Sequence, residues 1–213
     1  MSKGIKAIIF DLGRVLVDYD MDRYYKGLEP FSDLSFRDIK NELDYSDLSR
    51  DYTTGKISVK DFYKKTIDKI NAKNLSFDEF KEIRKRIFVA PNEEIEDVLK
   101  LINPEIKIVL LSNLDEIFWE VSRENSKILR KFFSDDERLV LSFKVGFKKA
   151  DSRIFRKAIK KSGCLVDECL FIDDQEKNLR PFRLLGGKTI QYNCQKNSIS
   201  ELKKTLDNYK VLI

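Results

Sequence analysis

Ile5-Lys6-Ala7-Ile8-Ile9-Phe10-Asp11-Leu12-Gly13-Arg14-Val15-Leu16-Val17-Asp18 is a short apolar run that ends on a carboxylate. Ile5 to Phe10 is nearly continuous in apolar character. That pattern fits a strand buried on both faces, as in a parallel sheet covered by helices. An acid at the end of such a strand stands on the carboxyl edge, where open α/β sheets bind their ligands.

Four further short runs read as strands: Ile106 to Leu111, Leu139 to Leu141, Cys169 to Ile172, and Lys188 to Tyr192. Helical stripes lie between them. Ile95, Val98, Leu99 and Ile102 share one face, and Ile154, Phe155, Ala158 and Ile159 share another. A third stripe, Ile199, Leu202 and Leu206, follows Ser198 with Glu201 in the spacing of a capping box. Strand and helix in alternation predict an α/β protein with an open, Rossmann-like parallel sheet.

Residues 18–88 interrupt the alternation. Phe36, Ile39 and Leu43 form one helical face, and Val59, Phe62, Tyr63, Thr66, Ile67 and Ile70 form another. Ser58 with Asp61, and Ser76 with Glu79 ahead of Phe80, Ile83 and Ile87, are capping signals. The expected organisation is a core of residues 1–17 and 89–213 with a helical cap domain inserted over 18–88.

The chain of 213 residues is 42% hydrophobic and 36% charged, which fits a globular protein with a sizeable core. No apolar run approaches the roughly 20 residues of a membrane span. No secretory signal is read at the start. Cys164, Cys169 and Cys194 include no CxxC pair, so neither a disulfide framework nor a zinc site is expected. A cytoplasmic location follows as an expectation. The 41 Lys and Arg against 36 Asp and Glu give a net charge of +5, spread along the helices in mixture with acids. Nucleic-acid binding is therefore not expected. The chain has no histidine, which excludes Ser-His-Asp and Cys-His catalysis and histidine metal sites.

Four polar clusters follow predicted strands. They are Asp11-Leu12-Gly13-Arg14, Ser112-Asn113, Gly146-Phe147-Lys148-Lys149-Ala150-Asp151, and Asp173-Asp174 continued to Asn178. A carboxylate can attack phosphorus to form an acyl phosphate. Mg²⁺ takes oxygen ligands, commonly one or two carboxylates beside a substrate phosphate. Asp11, Asp173 and Asp174 can supply them. Lys149 or Lys148 can neutralise the transferring oxygens, and Ser112 and Asn113 can hold them.

These clusters, in this order, resemble the haloacid dehalogenase-like superfamily. Its pattern of strand-end Asp, strand-end Ser or Thr, Lys, and an acidic pair falls here on Asp11, Ser112, Lys149 and Asp173-Asp174. The opening Asp-Leu-Gly-x-Val-Leu-Val-Asp looks like the branch of glucose-1-phosphate phosphatase-like proteins and the phosphatase domain of soluble epoxide hydrolases. The resemblance implies a Mg²⁺-dependent phosphatase of a small phosphorylated metabolite, such as a sugar phosphate. Asp11 would be the nucleophile. Mg²⁺ would bind Asp11, the Gly13 carbonyl and Asp174, with Asp173 assisting. Ser112, Asn113 and Lys149 would hold the phosphate.

Two positions depart from the pattern. Most phosphatases of the superfamily carry an acid–base Asp where this chain has Gly13, and the usual Lys-Pro is Lys149-Ala150. General acid–base help is worth about 10² to 10⁴ in rate. Gly13 thus opens a rival reading, an impaired phosphate- or partner-binding protein: restoring Asp at 13 is expected to raise activity strongly if only the acid is missing, and an unchanged, negligible rate would favour the binding reading. A haloacid dehalogenase is the other rival, and the acidic pair weighs against it. A receiver-type signalling domain also pairs carboxylates with Ser/Thr and Lys, but its acidic pair comes early in the chain. Trp119, Phe118, Phe132 and Phe133 read as core, the cysteines as packing residues, and Lys148 as a solvated neighbour. Arg14 reads equally as a contact near the site or as a surface residue. Tyr24, Tyr25 and Tyr45 are candidates to face substrate, and Gly55-Lys56-Ile57 reads as a structural turn.

Overall fold

The computed structural model describes residues 4–44 and 46–213. Along the chain run β1 (Ala7–Phe10), β2 (Val17–Tyr19), α1 (Asp22–Leu28), α2 (Phe36–Asp44), α3 (Asp47–Thr53), α4 (Val59–Lys69), α5 (Phe77–Lys85) and β3 (Phe88–Pro91). Then follow α6 (Ile95–Leu101), β4 (Lys107–Ser112), α7 (Glu116–Asn125), α8 (Lys127–Phe132), β5 (Leu139–Leu141) and α9 (Ser142–Val145). The chain ends through α10 (Ser152–Ser162), β6 (Cys169–Asp173), α11 (Glu176–Leu184), β7 (Lys188–Gln191) and α12 (Ile199–Asn208).

Five strands form a sheet in the order β5-β4-β1-β6-β7, and every pairing is parallel. β1 is central, and its four residues are fully buried. Alternate residues face opposite sides. Ile8, Phe10, Leu110, Leu170 and Ile172 join one apolar core, and Ala7, Ile9, Val109, Leu111, Cys169 and Phe171 join the other. Each fully buried side chain of this kind contributes about 1.5–3 kcal/mol. In the second core, Phe155 from α10 and Phe182 from α11 meet Phe171 with ring centroids 5.8 and 5.3 Å apart.

The register fixes the site. Phe10 lies beside Leu110 on one flank and Ile172 on the other. The next residues, Asp11 and Asp173, with Ser112 from β4, therefore leave the sheet on one edge.

The strands that sequence periodicity predicts are all present, with ends shifted by a residue or two. Two were not predicted: β2 and β3 form an antiparallel ribbon that pairs Val17 with Pro91 and Asp18 with Ala90. The ribbon brackets the helical segment α1–α5. Ser76 and Ser198 each form a complete capping box, and Ser58 accepts from the Asp61 N–H. Inside the segment, Tyr52 stacks on Phe62 at 4.0 Å, and Phe62 meets Phe80 at 5.8 Å. No helix among the described residues is long and apolar enough to cross a membrane.

Gly55 joins the helical segment to the sheet domain. Its φ is +68°, and a Cβ there would lie 2.0 Å from the Phe143 carbonyl oxygen in α9. Both the left-handed backbone and the contact require glycine. Gly55→Ala is expected to lower stability by about 2 kcal/mol or more. Urea unfolding measures this, and an unchanged midpoint would contradict it.

Candidate active site

Asp11 follows β1, and its side chain is buried. Asp173, the last residue of β6, is fully buried, and Asp174 after it is half-buried. One oxygen from each of Asp11, Asp173 and Asp174 lies within 4.8 Å of the others. Three carboxylates this close repel strongly unless cations stand among them.

Lys149 is the cation present. Its Nζ is 2.7 Å from Asp11 Oδ1 and 2.7 Å from Asp173 Oδ2, and its side chain is almost wholly buried. It also donates to the Leu111 carbonyl at 3.3 Å. Burial pulls its ammonium down, but the charges of Asp11 and Asp173 outweigh that and raise it. Lys149 therefore stays charged. Asp173 accepts further from the Gln175 N–H at 2.8 Å and from Asn178 Nδ2 at 3.0 Å.

Asn113 positions that lysine. Its Oδ1 accepts from the Lys149 N–H at 2.8 Å, and its Nδ2 donates to the Lys149 carbonyl at 3.1 Å. Both ends of the amide are thus committed to the Lys149 backbone, which leaves the Asn113 backbone N–H for the phosphate contact that the sequence suggests. Ser112, at the end of β4, is buried at the cavity wall, and its hydroxyl has no hydrogen-bond partner among the described residues.

One lysine plus three carboxylates leaves a formal charge of −2 if all are ionised. The protein relieves part of this by holding protons. Burial pushes the Asp11 carboxyl above the usual carboxylate range, and the charges of Asp173 and Asp174 add to that, against Lys149. Burial and Asp173 also raise Asp174. A hard divalent cation fits this donor set in charge and in ligand type.

Gly13 faces an aromatic ring. A Cβ at position 13 would lie 2.7 Å from Tyr19 Cε1 in β2. Tyr19 is held by the Phe118 ring at 6.1 Å and by the Arg14 guanidinium 4.9 Å above it. Arg14, at φ +60°, is ion-paired with Asp18, and its carbonyl accepts from the Cys194 N–H at 2.7 Å. An Asp at 13 would therefore require the Tyr19 ring to shift.

A cavity of about 370 Å³ opens over the carboxylates. Asp11, Gly13, Ser112, Lys149 and Asp174 line its floor, with Tyr19 and Phe118 beside them. Met21, Ser49, Thr53, Arg84 and Ile87 line it from the helical segment, and Asp115, Lys148 and Lys177 complete it. Three side-chain expectations change. Lys148 lines the cavity half-buried; burial, then the charges of Lys177, Arg50 and Arg84, lower its ammonium. Phe118 is both core and cavity wall. Tyr24 and Tyr25 are buried within the helical segment and do not line the cavity. Tyr45 lies outside the described residues. The three cysteines are free thiols.

Sequence reasoning missed Tyr19, Arg84 and Asp115. Arg84 carried a signal: it stands four residues after Phe80 and next to Ile83, on the apolar side of α5.

Residues 5–186 match the haloacid dehalogenase-like hydrolase family. A D-ribitol-5-phosphate phosphatase of Bacteroides thetaiotaomicron is 29% identical over 192 residues, covering 88% of this chain and 91% of that one. The crystal structure of a haloacid dehalogenase family enzyme from the same organism, in complex with magnesium and inorganic phosphate, has a TM-score of 0.79 at 26% identity, covering 93% of this chain and 99% of that one. A haloacid dehalogenase-like hydrolase from Porphyromonas gingivalis shares the fold, with a TM-score of 0.81 at 23% identity over 96% of this chain and 98% of that one.

A cation entering the acidic trio competes with the proton that the raised Asp11 pKa retains. Mg²⁺ binding is therefore expected to release protons and to tighten as pH rises from about 5 to about 8. Calorimetry in two buffers of different ionisation enthalpy counts the protons. Proton-neutral binding over that range would contradict the assignment.

Proposed function

The chain belongs to the haloacid dehalogenase-like hydrolase family, and on that footing we propose that it is a Mg²⁺-dependent phosphatase of small sugar or polyol phosphates. The observation that carries this is the buried Lys149 ammonium, 2.7 Å from both Asp11 and Asp173 at the floor of the cavity. The named activity of the ribitol phosphate phosphatase supports the substrate class.

In this reading Asp11 attacks phosphorus. The bond from phosphorus to the alcohol oxygen breaks, and the alcohol leaves with a proton. Water then attacks the phosphoaspartate, releasing inorganic phosphate and restoring the carboxylate. Asp11, the Gly13 carbonyl and Asp174 would hold Mg²⁺, with Asp173 assisting. Bound Mg²⁺ supplies the positive charge that lets an anionic carboxylate approach an anionic phosphoryl group. Lys149 orients Asp11 and neutralises transferring oxygens, and the Ser112 hydroxyl is available to donate to one of them. Asn113 acts by fixing the Lys149 backbone, with its own backbone N–H left for the phosphate. The helical segment acts as a cap that excludes water during the first step and opens to release product.

The three clustered carboxylates weigh against a dehalogenase, whose attack on carbon needs no metal. Gly13 with Tyr19 over it implies slower turnover than in relatives with an acid at that position, by about 10² to 10⁴.

The test is phosphate release from a panel of sugar, polyol and nucleotide monophosphates with and without Mg²⁺. Metal-dependent release is expected, and Asp11→Asn is expected to abolish it. Release that survives Asp11→Asn would remove the nucleophile assignment.

The proton donor can be tested separately. Gly13→Asp alone is expected to lower activity and melting temperature, because the new side chain meets the Tyr19 ring. Gly13→Asp with Tyr19→Ala is expected to recover folding and to exceed Tyr19→Ala alone by about 10²-fold in kcat. A faster Gly13→Asp single variant would show that the ring yields.

A further inference from the structure

Arg84 in α5 and Asp115 at the start of α7 form a buried ion pair at 2.8 Å that lies on the cavity wall. Their side chains are 5% and 3% exposed, so the pair is out of bulk water. Asp115 Oδ1 also accepts from the Tyr52 hydroxyl at 3.2 Å and from the Phe118 N–H at 3.1 Å. The guanidinium lies 4.4 Å from the Tyr24 ring centroid and 5.5 Å from that of Phe62. Its Nε is buried without a hydrogen-bond partner.

A buried ion pair is a costly way to join two elements. Desolvating both charges offsets most of their attraction, and apolar side chains of similar volume serve equally well as a seam. The surrounding seam is in fact apolar and aromatic, with Phe62, Tyr52 and Phe118 beside the pair. What distinguishes this position is that it faces the cavity shared with Asp11 and Lys149. An acceptor held next to a fixed donor matches a hydroxyl group, which donates and accepts at once, and a vicinal diol matches it doubly. A ligand with apolar carbon at this point would offer no hydrogen bond to the side of the pair that faces the cavity.

Resting on the phosphatase reading above, we infer that Arg84 and Asp115 are specificity-determining residues that bind hydroxyl groups of the substrate's carbon chain. The ion pair spans the helical segment and the sheet domain, so the hydroxyl-binding wall is complete only when the two are together. Polyhydroxylated esters are thereby favoured over apolar or aryl ones.

The experiment compares kcat/KM for D-ribitol 5-phosphate and for p-nitrophenyl phosphate, which has no hydroxyl, in the wild type, Asp115→Asn, Arg84→Lys and Tyr52→Phe. Asp115→Asn keeps an acceptor at the start of α7, and Tyr52→Phe removes one hydroxyl, so both retain the local packing. The expected result is a loss for the polyol ester about tenfold or more greater than the loss for the aryl ester in Asp115→Asn and Arg84→Lys, carried mainly in KM. Equal losses on both esters with lowered melting temperatures would make the pair structural and overturn the inference. Unchanged selectivity in folded variants would also overturn it. A wild type that hydrolyses neither ester would defeat the phosphatase reading instead. Calorimetric binding of D-ribitol 5-phosphate with Mg²⁺ would then decide the inference: weakening by Asp115→Asn of about tenfold or more sustains it, and equal or absent binding overturns it.

Discussion

The Lys149 ammonium between Asp11 and Asp173 is the contact on which the rest of the site depends. Remove it and three carboxylates on one sheet edge repel without a counter-charge, in a place where burial already penalises ionisation. Much of the nearby structure keeps that lysine in place. Asn113 holds its backbone at both ends, the Leu111 carbonyl accepts from its side chain, and Asn178 and the Gln175 N–H anchor the carboxylate on its far side. These partners come from β4, β6 and α11, so the sheet's register and the site's charge balance are one constraint.

The same balance explains why the site is incomplete by itself. One lysine leaves two negative charges uncompensated, and the protein answers by raising the pKa of Asp11 and Asp174. A divalent cation answers better, because it cancels the charge without protonating the nucleophile.

The sheet and its carboxyl edge were legible because burial on both faces leaves a nearly continuous apolar run, and each run ends abruptly on polar residues. Asp11, Ser112, Lys149 and Asp173-Asp174 stood out for that reason. The ribbon of β2 and β3 did not, since Val17–Tyr19 and Phe88–Pro91 are short, half-buried and paired over a long separation. The hold of the Asn113 side chain on the Lys149 backbone was not legible, because an amide beside a serine at a strand end gives no sign of which backbone it will bind. Tyr19 over Gly13 was invisible too: the contact spans six residues through a turn, and glycine carries no side chain to predict a neighbour from. Tyr24 and Tyr25 illustrate the opposite error, aromatics that satisfy the helical segment's own core and never reach the cavity.

The two walls of the cavity differ in how they are built, and this bears on how the protein can vary. The floor is held by main-chain register and by a lysine with no spare contact, so a change there disturbs several partners at once. The upper wall comes from single side chains: Met21 before α1, Ser49 and Thr53 on α3, Arg84 on α5, and Tyr19 of the ribbon. Arg84, Ser49 and Met21 line the cavity without contacting the ion pairs of Lys149 with Asp11 and Asp173. The fold thus separates the chemistry, which requires fixed charge geometry, from recognition, which requires only shape and a few polar groups. The tyrosine ring over Gly13 belongs to the ribbon, and it is held by Phe118 of α7 and by Arg14 of the loop after β1, so it sits where these two regions meet. A side chain at position 13 would therefore have to displace a ring that both regions hold.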